Sequence, residues 1–200
     1  MASSPRLARA LDAERARTEQ VPPAYSAIKV DGVRSHRLAR RGEAATLPAR
    51  PVAVRSLVCT RETAAPPSLE LAMTVSKGYY VRSLARDLGA ALGTAAHLTA
   101  LRRTAAGDFS VREATTLDAL ASAPLLPVEQ AVRRVMPVIS LDDEATLRVR
   151  DGKPLALAEP PAPGVPVALL RPDGSLAAIA HRDPGTDAVV VLRGFPLTKP

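Results

Sequence analysis

Two hundred residues leave room for one or two domains and a buried core, and 46% hydrophobic against 24% charged residues is globular usage rather than the signature of disorder. No apolar run approaches the roughly 18 residues that cross a bilayer, and residues 1–6 lack the apolar stretch of a secretory signal, so the reading is a cytoplasmic protein with no membrane segment. The net charge of +7 is uneven: residues 1–112 carry 18 Lys+Arg against 9 Asp+Glu, and residues 113–200 carry 9 against 11, which turns the front of the chain toward a polyanion.

The first predicted element is a helix over residues 5–18, with Leu7, Ala10 and Leu11 on one face, stopped by Pro22-Pro23. Residues 25–30 read as a strand and Asp31-Gly32 as the turn after it. Residues 34–42 read as a helix with Arg34, Arg37 and Arg41 on one face and Gly42 at its end. Residues 52–60 and the alternating Leu69, Leu71, Met73 and Val75 read as paired strands around a loop at 64–67. From Val81 the period lengthens to that of a helix closed by Gly93, and Thr94 reads as the cap of a second helix carrying Leu98 and Leu101.

A short strand is predicted over 107–111 and helical stretches near 116–122 and 128–135. The pattern then changes near Met136-Pro137. Ser140 reads as the start of a helix reaching Arg150, followed by strands over 165–170, 176–181 and 188–193 that suggest a small β-barrel. The expected fold is therefore α+β, with one unit over residues 1–135 and a second over 136–200.

Few kinds of chemistry are signalled. The lone Cys59 excludes a disulfide framework and sits in an apolar strand; His36, His97 and His181 have no metal-ligand spacing. The sequence contains no Walker A loop, G-x-G-x-x-G or G-x-S-x-G. Aromatic residues, at 2%, are too few for a base-stacking sheet.

Two stretches stand out: Val21-Pro22-Pro23-Ala24-Tyr25-Ser26-Ala27-Ile28-Lys29, and Ser76-Lys77-Gly78-Tyr79-Tyr80-Val81-Arg82 running on to Asp87-Leu88-Gly89, with Ala96-His97-Leu98 and Leu101-Arg102-Arg103-Thr104 beyond. Here the chain resembles the TruB family of tRNA pseudouridine synthases, over about residues 19–120. The resemblance implies a partial pseudouridine-synthase sheet with flanking helices, then a PUA-like domain. It implies isomerisation of a uridine in the tRNA T-loop, with tRNA as partner and neither a metal nor an organic cofactor. It makes Tyr80 the tyrosine against the flipped base and Arg82 the partner of the catalytic aspartate. Spacing alone reads Tyr80 as a core aromatic and Arg82 as a surface cation; the motif around them reverses that.

By the same resemblance Leu101 lines the base pocket, a role no better supported than that of a plain core leucine. Arg34, Arg37, Arg41, Arg102 and Arg103 are candidate phosphate contacts, each taken singly being more often a solvated surface group, and Lys29 either contacts phosphate or ends a strand in solvent. Tyr79 and Tyr25 are expected to pack, and Asp87 to lie on a helix surface. The family's upstream G-x-L-D-P motif with its aspartate is missing, as is a K-x-Y motif; Asp12 is the one aspartate ahead of Val21 and lies in another context. The expectation is an N-terminally incomplete synthase, inactive alone, with unpaired sheet edges and an Arg82 that turns to solvent or finds another acid. The alternative is a non-catalytic tRNA-binding or RNA-folding module.

Overall fold

A computed structural model describes residues 4–30, 32–43, 47–157 and 159–196. The chain divides into two compact units, Met1–Leu101 and Arg102–Pro200.

The front unit opens with helix α1, Pro5–Arg15. The Ser4 hydroxyl caps it by accepting the Leu7 N–H at 3.2 Å, and Pro5 sits where a missing N–H costs nothing. Leu7, Ala10 and Leu11 face inward as the spacing predicts, and Glu14 shares their face at 2% exposure. Strand β1, Glu19–Gln20, follows, then β2, Lys29–Val30, and β3, Val33–Arg34. Helix α2 is Ser35–Arg40 and β4 is Arg50–Pro51. β1 pairs antiparallel with β4, and β2 with β3, across a turn in which Gly32 has φ +82°.

The strand predicted over 25–30 survives only as β2. Pro22 and Pro23 withhold two ladder donors. The carbonyls of the segment are drawn instead to the start of α2: Ser35 N–H donates to Ile28 O at 2.7 Å, His36 N–H to Ser26 O at 3.0 Å, and the Ser35 hydroxyl to Ala24 O. The helix predicted over 34–42 shortens accordingly, and Arg34 belongs to β3 rather than to a helical face.

Strands β5, Val54–Ala64, and β6, Pro67–Val75, form the long hairpin the alternation predicts, its connection reduced to Ala65-Pro66. One face of the hairpin packs on α1 and on α3, Val81–Leu92, around Leu7, Leu11, Leu57, Leu84 and Leu88. Each such leucine contributes roughly 1.5–3 kcal/mol by leaving water. Cys59 packs at the edge of this core as a free thiol. Gly93, at φ +75°, ends α3. The helix expected after Thr94 does not form: residues 94–101 are irregular. A Cβ on Gly89 would lie 2.8 Å from the Ala96 backbone nitrogen, so the returning chain passes directly against the glycine face of α3.

The rear unit begins with a small hairpin of β7, Ala105–Ala106, and β8, Phe109–Ser110. Residues 116–122 form four-residue turns closed by i+3→i hydrogen bonds instead of the predicted helix; Leu117 and Leu120 are exposed, so no packed face stabilises one. Helix α4, Val128–Val135, is as predicted. Then come β9, Val138–Ser140, α5, Asp143–Arg150, β10, Val167–Leu170, β11, Leu176–Arg182, and β12, Val189–Gly194. The cap of α5 is Asp142, which accepts the Ala145 N–H at 2.7 Å; Ser140 lies in β9.

These strands form a sheet in the order β12-β11-β10-β9, antiparallel except for the parallel β9–β10 pair. Among the described residues it is open, not the closed barrel the strand spacing suggests. Helices make closure unnecessary. Val167 and Leu169 of β10 pack on one side with Val149 of α5, while Ala168 and Leu170 pack on the other with Val132 of α4.

Candidate active site

The two stretches singled out in the sequence lie side by side in the front unit. Gln20, 2% exposed, presents its amide edge-on to the backbone of Tyr80: its Nε2 donates to Tyr80 O at 3.2 Å, and Tyr80 N–H donates to its Oε1 at 2.8 Å. One side chain thus imitates the paired bonds of an adjacent strand. Next along, Val21 O accepts from the Ser83 hydroxyl at 2.9 Å and from Arg86 Nη2 at 3.0 Å. Tyr25 O accepts from Arg82 Nη2 at 2.8 Å. Segment 20–25 is therefore fastened along the first turns of α3 by five hydrogen bonds, every one using a side chain.

Tyr80 is the residue before α3, with extended φ −107° and ψ 108°, and is half-buried. Helix begins at Val81, so the backbone changes between Tyr80 and Arg82 and the two residues are not related by strand alternation. Arg82 is exposed and, among the described residues, has no carboxylate partner. The first turn of α3 contains no acidic residue, so its guanidinium stands at the positive end of the helix dipole, an unfavourable place for a cation without a counter-charge.

Beneath the junction lies a polar network. Tyr79 donates its hydroxyl to Glu14 Oε1 at 2.6 Å; Arg17 Nε binds Glu14 Oε2 at 2.7 Å, and its Nη2 lies 3.4 Å from Asp87. Burial first, then the Glu14 hydrogen bond and charge, pushes the Tyr79 phenol far above its ordinary value. Tyr79 thus packs, as expected, and also anchors a carboxylate. Asp87 is drawn into this network rather than standing free on the helix surface. Tyr25, expected to pack, is exposed; its carbonyl is what the site uses.

The other candidates are scattered over the surface. Lys29 and Arg34 are cross-strand partners in the β2–β3 hairpin, both exposed. Like charges so paired cost stability and concentrate positive potential. Arg37 and Arg41, in and just after α2, are also exposed. Leu101 is 67% exposed, in no regular element. Arg102 and Arg103 are exposed residues of the rear unit, ahead of β7. Among the described residues no group of three or more His, Cys, Asp or Glu is placed to hold a metal ion.

A cleft of about 490 Å³ opens beside Tyr80, lined also by Arg50, Pro51, Lys77 and Gly78. The sequence reading missed Arg50, Lys77, Gln20 and Glu14. Glu14 was detectable, since it falls on the inward face set by Leu7 and Leu11. Gln20 carried no such signal.

Residues 2–81 match the model of the TruB family pseudouridylate synthase N-terminal domain, and residues 82–140 that of the tRNA pseudouridylate synthase B C-terminal domain. The chain belongs to the TruB family. It is 42% identical over 180 residues to tRNA pseudouridine synthase B of Thermobifida fusca, covering 86% of this chain and 60% of that one. It is 46% identical over 138 residues to the protein of that name from Corynebacterium aurimucosum, covering 67% and 46%. The chain thus spans about half to three-fifths of the length of the curated TruB relatives it matches. In fold it resembles the crystal structure of a Cbf5–Nop10–Gar1 complex, with TM-score 0.70 and 21% identity, over 98% of this chain and 63% of that one. No helix among the described residues is long and apolar enough to cross a membrane.

Proposed function

We propose that the front unit carries part of the active site of a tRNA pseudouridine synthase, which detaches a T-loop uridine from its sugar and rejoins it through carbon. The observation that carries this reading is the fastening of segment 20–25 along the start of α3, which joins the two family motifs at Tyr80 and Arg82. The target uridine must leave its stack and enter a pocket. In this reading Tyr80 lies against the flipped base. Arg82, a cation at the wrong end of a helix dipole, receives the catalytic carboxylate, which satisfies its charge and holds the aspartate ionised. Lys29, Arg34, Arg37, Arg41, Arg102 and Arg103 hold phosphates, and Leu101 lines the base pocket. tRNA is the partner, the cytoplasm the place of work, and no cofactor is required.

The reaction needs the aspartate of a G-x-L-D-P motif, which these 200 residues do not contain. The test joins the chain to the aspartate-bearing segment of the Thermobifida fusca relative and maps pseudouridine in a T-arm RNA. The chain alone should give no product and the joined protein should give pseudouridine. Tyr80→Phe and Arg82→Ala should each lower the rate by about a hundredfold or more, the scale of a lost proton-transfer or charge-stabilising group. Robust turnover by the chain alone would overturn the role given to the aspartate. A joined protein that binds T-arm RNA without converting it would favour the binding or RNA-folding module.

A further inference from the structure

The cleft beside Tyr80 has two walls. Arg50 and Pro51 of β4 form one; Lys77, Gly78 and Tyr80 form the other. Both walls are held in place. Gln20 is in register with Arg50 through the β1–β4 pairing, while its side chain binds the backbone of Tyr80. Ala53 and Ser76 tie the two segments together, with Ser76 N–H donating to Ala53 O and Ala53 N–H to the Ser76 hydroxyl, each at 2.8 Å. Two cations thus face one cleft from fixed backbones.

Neither cation is neutralised. Arg50 and Lys77 are exposed, and among the described residues neither makes an ion pair. Nor do the N–H groups of Lys77 and Gly78 donate to a backbone carbonyl among the described residues. Gly78 has φ +89°, which glycine adopts without strain, and with no side chain it leaves its backbone open to whatever occupies the cleft. An arginine fork, a lysine point charge and free amides around one opening are the donor set of a phosphate site. The tyrosine in the same cleft fits a base better than a free anion would need.

We infer that the cleft between Arg50 and Lys77 is a subsite for an RNA backbone phosphate next to the nucleotide that Tyr80 receives. Phosphate contacts fix register without reading sequence, so this subsite sets how far the flipped nucleotide advances. The inference rests on the proposed RNA reading and adds two residues and a location to it.

The test is equilibrium binding of a T-arm hairpin RNA to the 200-residue chain across a salt series. The variants are Arg50→Gln, Lys77→Gln and the double variant, with Arg61→Gln, an exposed residue paired with Glu70 on the β5–β6 hairpin, as control. The double variant should bind about tenfold more weakly and lose about 0.7–0.9 from the slope of log K against log salt, while Arg61→Gln changes neither. A single methylphosphonate beside the target uridine should weaken binding by the unmodified chain and have no further effect on the double variant. Salt-dependent binding whose slope is unchanged in the double variant, or a methylphosphonate effect that persists in it, overturns the subsite and leaves the RNA reading standing. A flat salt response in the unmodified chain overturns both.

Discussion

The front unit buries five polar side chains, Glu14, Gln20, Ser26, Ser35 and Ser83, whereas the described residues of the rear unit bury none. The same division holds the charge: residues 1–101 carry 15 Lys+Arg against 8 Asp+Glu, and residues 102–200 carry 12 of each. The two units therefore solve different problems. The rear unit is a sheet between two helices, held by apolar burial, and its ion pairs lie at the surface. The front unit must hold irregular backbone against a helix, and only hydrogen bonds can specify where irregular backbone sits. Buried polar groups in the front unit mark the segments that make the site.

Substitutions can break this contrast. In the rear unit, cost should follow lost volume. Leu169→Ala, at a fully buried position in the core between the sheet and α5, should lower unfolding free energy by about 4 kcal/mol in denaturant titration. In the front unit, cost should follow lost partners. Glu14→Ala strands the Tyr79 hydroxyl and Arg17, and should cost about 3 kcal/mol; Glu14→Gln, which keeps an acceptor, should cost less. If Glu14→Leu matched the unmodified protein, the contrast would fail.

Gln20→Ala should cost about 2 kcal/mol and, unlike the previous two, should expose the Tyr80 amide to rapid hydrogen exchange while distant amides stay protected. Alkaline pH gives a smaller effect with a definite sign. An unfolded tyrosine ionises near 10.0, while folded Tyr79 keeps its proton to higher pH. Above pH 10 the folded state therefore binds more protons than the unfolded one, and stability contributed by Tyr79 is lost as pH rises. Tyr79→Phe should flatten that alkaline limb. Smallest of all is Ser26→Ala. Ser26 Oγ is buried without a hydrogen-bond partner among the described residues, so removing it should be neutral or stabilising by up to about 1 kcal/mol.

What could be read from the sequence follows the same line. The β5–β6 hairpin, α1, α3 and α4 announced themselves by period, because each buries one apolar face or stripe, and the three rear strands by short apolar runs set off by turn residues. The helices expected over 94–101 and 116–122 had a suitable pattern and no surface to receive it. At the site, Tyr80 and Arg82 were found from their motif, while Gln20 and Arg50 were not. Their importance comes from a pairing 60 residues distant in one case and a shared cleft in the other, and neither leaves a local period. Arg34, Arg37 and Arg41 were read as a helical stripe, yet Ser35, by bonding back to Ala24 and Ile28, starts the helix one residue too late for that.

The fastening of segment 20–25 also constrains which lengths of chain the fold tolerates. Gln20 reaches Tyr80 through both ends of its amide, the carbonyl of Val21 reaches Ser83 and Arg86, and that of Tyr25 reaches Arg82. Adding or deleting a residue between 20 and 25 would leave some of these acceptors out of step with α3 by a whole residue, with no strand ladder to slip into a new register. The tip of the β5–β6 hairpin, at 65–66, carries no such obligation. Across relatives, insertions and deletions should therefore collect at the hairpin tip, while the spacing from Gln20 to Tyr25 stays constant even where the residues between them change.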